Sequence, residues 1–435
     1  MRRASGDHHE SDQHVRRAGR QHRAVASHQL GEVVRQRPAQ HKAQAGGKAE
    51  KTEDSQSTPG IGHARTLRVP SNRRHPPLGS LGRTLVLPGA LGSRFVMKPM
   101  TVSRGQILAY RRHVQALEQR LPASADALRH AAWAGLQDSM PRAALLSIHA
   151  RVAGAHGRSW EDAPLVQLWG PRYSTYVVAE PDRAIFTLGR IGADARARDK
   201  AERMADRLEK FLDGRRLTDT AAGEGLTVNP NALRYGAPSG RILIRWEGAR
   251  APLVWIVDRP LVDPVDAQDE LARRYLHVFG PSTAPAFAEW AGIAALAGEA
   301  AFQRLRPSLA EVRTPIGERW ILAEDLELLS QRFGLSAAAR LLPSGDTYFL
   351  LQGTNRELLV PGAVQRAALW PTRVWPGALL LAGEIVGTWR RAQATLSIDA
   401  WRRLTQDERD ALEREAQSLP LPGINGGLRI HWTVP

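Results

Sequence analysis

The chain contains no cysteine among its 435 residues. A disulfide framework, a thiolate nucleophile and a thiolate metal site are therefore excluded, and the composition suits a reducing compartment. No apolar run reaches the roughly 18 residues that a membrane-spanning helix needs, and the opening MRRASGDHHESDQHVRR lacks the apolar core of a signal peptide. A cytoplasmic protein without a membrane partner is the expectation. The 14 histidines include none in HxxxH or HExxH spacing after residue 100, so no metal and no other cofactor is expected. Gly-rich phosphate loops are also missing, since Gly423-Ile424-Asn425-Gly426-Gly427 precedes a strand pattern and reads as a turn.

Positive charge is abundant: the formal net charge is +16, with a pI near 10.9. Such a balance favours a polyanionic partner, nucleic acid before membrane. It is unevenly spread. Residues 1–100 carry 18 Lys+Arg against 7 Asp+Glu, which leaves a net +5 for everything after them. Residues 1–96 hold one aromatic, Phe95, and no sustained period, so they are expected to be a disordered basic segment. That segment is either an arm that touches phosphates or the product of a mis-assigned start, the true one lying at Met97 or Met100.

Order is expected from Met100 onward. Ser103 caps a helix to about Gln119, a second helix runs from Ser124 to Trp133, and a third follows Pro141 to His149. Arg172 to Val178 alternates like a strand that Ala184 to Leu188 would pair with, completing a winged helix-turn-helix unit over 97–190. The order repeats over 191–260: a charged helix from Asp194 to Leu212, short helices after Thr218 and Asn229, then strands at Gly240–Trp246 and Leu253–Val257. It repeats again over 261–325: helices Asp263–Phe279, Ser282–Trp290 and Ala291–Leu305, then a hairpin around Pro315 to Gly317. Helix, turn, helix, wing is the order of a DNA-reading module. Residues 326–435 read as strands at Thr347–Gln352, Leu358–Val360, Ala378–Ala382 and Gly387–Ile398, a helix Thr405–Ala416 and a strand Leu428–Val434; a small β-barrel would close their edges. The fold class expected is thus α+β, three tandem winged helix-turn-helix units forming a curved scaffold with a C-terminal small β-barrel.

The candidate chemistry lies at Gln137-Asp138-Ser139. These polar residues precede a helix in which Ala144, Leu145, Ile148 and Val152 recur at helical spacing. They are either side chains held ready for chemistry or a plain helix start with Ser139 as N-cap. Arg172, Arg241, Arg245, Arg313 and Arg319 lie on the expected wings, where they would touch DNA phosphates or solvent. All 12 tryptophans follow residue 100; Trp133, Trp246, Trp255 and Trp320 fit helix or strand periods, which makes them core residues before base-stacking ones.

The stretches Trp133–Val152, Tyr275–Thr283 (YLHVFGPST), Leu341–Tyr348 (LLPSGDTY) and Val386–Arg391 (VGTWRR) resemble the winged-helix DNA-binding family that contains the AlkZ-like DNA glycosylases. The resemblance spans Met100 to Pro435. It implies three winged helices curved around a duplex-sized cleft, an attached barrel, double-stranded DNA as partner and a monomer. It also implies monofunctional hydrolysis of an N-glycosidic bond, releasing alkylated or damaged bases. The family's catalytic pattern of Gln, an apolar residue, then Gln or Asp aligns with Gln137, Asp138 and Ser139. The apolar middle position is here Asp138 and the third is Ser139. The family's first-wing arginine matches Arg172, but its Gly-Thr-x-His continuation is replaced by Tyr173-Ser174-Thr175-Tyr176. Two further readings stand beside this one: a non-catalytic DNA binder or regulator on the same scaffold, and a protein–protein module.

Overall fold

Capping residues set where the helices begin. In the computed structural model, which describes residues 99–140, 142–161, 164–248, 250–334, 336–421, 423–424 and 427–433, Ser103 and Gln106 form a reciprocal capping box. The expectations for residues 1–96, Pro141, Asn425, Gly426 and Val434 lie outside the described residues. Strand β1 (Met100–Thr101) leads into α1 (Arg104–Val114). Ala116, at φ 53, takes the left-handed conformation and stops α1 short of the expected Gln119. Ser124 caps α2 (Ala125–Ala131), and β2 (Leu136–Gln137), α3 (Ala143–Arg151), β3 (Leu165–Trp169) and β4 (Thr175–Ala179) follow.

The expected partner of β4 is not a strand: Arg183–Thr187 is a short helix, α4. Pro181, at the first turn of the 3-10 segment Glu180–Asp182 just before it, directs the chain into helical dihedrals. The strand that pairs with β4 is β3, antiparallel with Gln167 opposite Val177. Next come α5 (Ala195–Leu212), β5 (Leu217–Thr218), α6 (Asp219–Gly225), β6 (Ile242–Arg245) and β7 (Leu253–Ile256). β6 pairs with β7 as expected, but it also pairs with β3 at Gln167–Ile244. The two expected wings therefore merge into one six-stranded sheet of order β2-β4-β3-β6-β7-β5.

Helices α7 (Pro264–Phe279), α8 (Ala284–Ala291) and α9 (Ala295–Leu305) carry the main core. Asp263 caps α7 with bonds from Val265 and Asp266 N–H, Pro264 sits in its first turn, and Thr283 caps α8. Tyr275, Phe279, Phe287 and Trp290 pack ring against ring, with Tyr275 and Phe279 stacked at 5.0 Å; each buried ring contributes on the order of 2 kcal/mol. The hairpin β8 (Leu309–Thr314) and β9 (Gly317–Leu322) follows, with Thr314 opposite Gly317, as the turn signal predicted. β1 adds to it in parallel, Met100 beside Val312. Further late contacts hold α1: Arg104 donates to the carbonyls of Leu358 and Leu359, and Arg111 to that of Gly280.

The last segment departs most from expectation. After α10 (Leu326–Ser330) and β10 (Ala339–Leu342), Thr347–Phe349 is a 3-10 turn and Thr354–Leu359 a helix, α11, where strands were expected. Then come α12 (Ala363–Leu369), β11 (Gly377–Leu381), β12 (Glu384–Ala392), β13 (Thr395–Ala400), α13 (Gln406–Gln417) and β14 (Arg429–Thr433). The sheet order β10-β11-β12-β13-β14 is linear, so it is an open sheet and not a closed barrel. The reason is the last connection. β14 runs parallel to β13, as a crossover through α13 requires, and so extends an edge away from β10. The molecule is a mixed α+β protein, and its described residues form one compact unit.

Candidate active site

Gln137 is the last residue of β2 and Asp138 the first beyond it, and their side chains leave on opposite sides. Asp138 is 3% exposed and faces inward. Its backbone N–H donates to Thr175 O at 2.8 Å. Its carboxylate accepts from Ala144 N–H at 3.0 Å and from Gln167 Nε2 at 2.7 Å. Asp138 thus supplies the cap for α3 that Ser139 was expected to give; the N-cap position itself falls to Arg142, at φ 69 with no side-chain cap bond. Burial pushes the Asp138 carboxyl up to about 6, against the pull of the Ala144 and Gln167 hydrogen bonds. Gln167 completes the brace by accepting from Trp246 N–H at 2.6 Å, which ties β3 to the end of β6.

Gln137 lies on the other side, half-buried. Its Oε1 accepts from Arg172 Nη2 at 2.9 Å and its Nε2 donates to Ser139 Oγ at 3.1 Å. A guanidinium has no acceptor, so the amide must turn its oxygen to Arg172. One Oε1 lone pair remains after that bond. Arg172 reaches Gln137 from a turn in which it and Tyr173 are both left-handed, at φ 53 and 57, a strain of about 1 kcal/mol each that clusters at functional sites. Its other nitrogen reaches Trp290 O at 3.4 Å.

A cleft of about 410 Å³ is lined by Met140, next in the chain to Ser139, and by Leu146, Ser344, Trp375, Trp389 and Arg390 among others, but by none of Gln137, Asp138, Ser139 or Arg172. Its position is set by a buried pair that sequence reasoning missed. Arg151 grips Asp346 through two nitrogens at 2.7 and 2.8 Å, and Ser147 Oγ donates to the same carboxylate at 2.6 Å. Asp346 in turn accepts from Tyr348 N–H at 2.9 Å. This pins Gly345, at φ +75, against Gln137, where an added Cβ would lie 3.4 Å from Nε2. The available signal was the LLPSGDTY stretch, which places a carboxylate directly after the glycine.

The other arginines are dispersed. Arg241 is buried and clasped by Glu202, Asp206 and Glu209 of α5, so its charge is consumed inside the fold. Arg245 pairs with Glu161 at 2.9 Å and lies 3.9 Å over Trp160. Arg313 is exposed on β8 with Glu318 at 3.4 Å, and Arg319 on β9 donates to Glu318 O and Thr354 Oγ1. Only Arg172 among the five touches Gln137. Trp133, Trp255 and Trp320 pack on the core, each beneath an arginine at 4.0, 4.5 and 3.7 Å. Among the described residues no three His, Asp or Glu side chains form a metal-sized group, and no helix is long and apolar enough to cross a membrane.

The family described as AlkZ-like, DNA glycosylase AlkZ-like, matches residues 129–420, a span that includes Gln137, Arg172 and Gly345. The chain belongs to the AlkZ-like DNA glycosylase family. Among solved structures, this AlkZ-like chain is similar to Streptomyces sahachiroi DNA glycosylase AlkZ, with a TM-score of 0.63 and 20% identity over 77% of this chain and 100% of that one. A TM-score at that level establishes a common fold. Among curated proteins nothing matches.

Proposed function

We propose that this AlkZ-like chain binds double-stranded DNA and releases an alkylated or otherwise damaged base by hydrolysing its N-glycosidic bond. In this reading α7, α8, α9 and the β8–β9 hairpin act as a winged helix, and the helical groups around the six-stranded sheet act as two more. An N-alkylated purine is already cationic and leaves as a neutral base, so the sugar gains the positive charge as the C1′–N bond breaks. Water then forms the C1′–O bond, and its proton departs to solvent afterward. No strong base is needed. The free lone pair of Gln137 Oε1 accepts a hydrogen bond from that water and aims it. Arg172 and Ser139 fix the carboxamide from either end, and Asp138 holds the strand and α3 in place. These three are positioning residues.

The carboxamide of Gln137, clamped between Arg172 and Ser139, carries this proposal. The test is release of free base from duplex DNA containing N7-methylguanine, by the full chain and by Gln137→Ala and Arg172→Ala. Wild type is expected to release base, Gln137→Ala about 100-fold more slowly, and Arg172→Ala with a reduced kcat while binding of undamaged duplex persists. Full activity in Gln137→Ala would remove the assigned site. Asp138 has both oxygens engaged and Ser139 lacks basicity, which favours the non-catalytic reading as runner-up; DNA binding without release by wild type would establish it.

A further inference from the structure

Several arginines of the fold are neutralised by carboxylates, but Arg172 beside Gln137 is not, nor are Arg111 and Arg319. Among the described residues Arg172, Arg190 and Lys200 have no carboxylate partner within ion-pair distance, whereas Arg241, Arg245, Arg151, Arg274 and Arg304 all do. Arg190 is 9% exposed. Its Nε and Nη1 are buried without hydrogen-bond partners, and its guanidinium lies 4.1 Å over the ring of Tyr173. A buried cation with two idle donors is expensive unless something outside compensates it.

The same group reaches the surface. Tyr173 meets Tyr235 edge to face at 5.4 Å. Tyr235 is 45% exposed, and the ammonium of exposed Lys200, in the second turn of α5, rests 4.5 Å over its ring. Arg172, Tyr173, Tyr235, Arg190 and Lys200 therefore form a continuous strip. It runs from the candidate water-holding glutamine to the outer surface, carrying three positive charges and two phenol hydroxyls with no acidic side chain paired to any of the cations.

We infer that this strip is a binding site for the phosphodiester backbone of duplex DNA, with Lys200 and the Tyr235 hydroxyl contacting phosphate and Arg190 holding Tyr173 in place beneath them. The assignment rests on the DNA-binding part of the function proposed above and is independent of base release. A phosphate here pairs with Lys200, while the enclosed Nε and Nη1 of Arg190 stay behind Tyr173 and out of its reach. The strained Arg172–Tyr173 turn joins this contact to Gln137, so that gripping the backbone and orienting the carboxamide share two adjacent residues.

The test is equilibrium binding of a fluorescein-labelled, undamaged 20-base-pair duplex (roughly two helical turns) to the full chain across a salt series. Lys200→Ala and Tyr235→Phe are compared with Arg403→Ala, an exposed charge deletion in the segment before α13. Lys200→Ala is expected to flatten the slope of log affinity against log salt by about 0.9, the release of one phosphate counterion. Tyr235→Phe should weaken binding at every salt concentration without changing the slope, and Arg403→Ala should do neither. Lys200 occupies an exposed helix position where alanine is well tolerated, so folding is preserved. Equal slopes for Lys200→Ala and wild type would overturn the assignment, as would absence of binding by wild type. Base release measured on the same samples is read separately: its absence counts against the glycosylase, and an unchanged Lys200→Ala slope counts against the strip.

Discussion

Asp138 is a carboxyl that the fold keeps away from water, and this gives stability a distinctive pH dependence. Its folded value is raised from 3.8 to about 6, so between those limits the native chain holds a proton that the unfolded chain has lost. The sign follows: the contribution is fully present below pH 3.8 and is lost as pH rises toward 6. Thermal melts of wild type should therefore weaken over that interval relative to Asp138→Asn, which does not titrate; parallel curves would show that the carboxyl is not dry. The variant should start lower at acid pH, because its amide presents N–H to Gln167 Nε2, and Gln167 cannot flip while its oxygen holds Trp246 N–H. Gln137 and Arg172 were each marked by the family resemblance, but their hydrogen bond was not. Nor was Gln167: an amide within the apolar run Leu165–Trp169 looks like a blemish until its partner, 29 residues earlier, is brought beside it.

Helix and strand were legible wherever a long period or a cap marked them. Ser103, Asp263 and Thr405 cap as expected, whereas the cap expected at Ser282 falls one residue later, at Thr283; the runs expected as strands at Gly240–Trp246 and Leu253–Val257 form β6 and β7. Short apolar runs failed. Ala184–Leu188 and Leu358–Val360 lack the length to separate the two periods, and tertiary context made helix of them. Leu165–Trp169, buried at four of five positions, carries no alternation that would mark it as a strand. At this scale Arg241 divides the alternatives cleanly. Placed by the sequence on a wing facing phosphate or solvent, it fastens β6 to Glu202, Asp206 and Glu209 of α5. Arg241→Ala is expected to lower unfolding free energy by about 2 kcal/mol, moderated by the partial exposure of Asp206 and Glu209, and to leave DNA affinity within twofold. Denaturant unfolding and duplex binding on one sample decide it.

The molecule as a whole is joined by contacts distant in sequence. One sheet takes strands from both sides of residue 190, and the Arg151–Asp346 pair, buried to 1% and 0%, links α3 to the turn after β10. Such a pair matters most when it is half removed. Asp346→Ala leaves Arg151 charged and enclosed, which is expected to cost about 3–5 kcal/mol, visible as a lower midpoint in urea; because Gly345 would lose its tether, base release should fall as well. Replacing both residues with apolar ones of similar volume should restore much of the stability but not the release. None of this linkage could be read from local patterns, because each partner looks like an ordinary helix or turn residue where it stands.

The parallel pairing of β1 with β8 bears on how the protein is made. A ribosome delivers Met100 and Thr101 roughly 210 residues before Val312 and Arg313, a delay of about 10–40 s at ordinary rates of synthesis. Through that interval the nascent chain holds α1 with its anchors at Gly280, Leu358 and Leu359 still largely unmade. Chains arrested before residue 309 are expected to be cut readily by protease near Met100, and chains completed through residue 433 to resist.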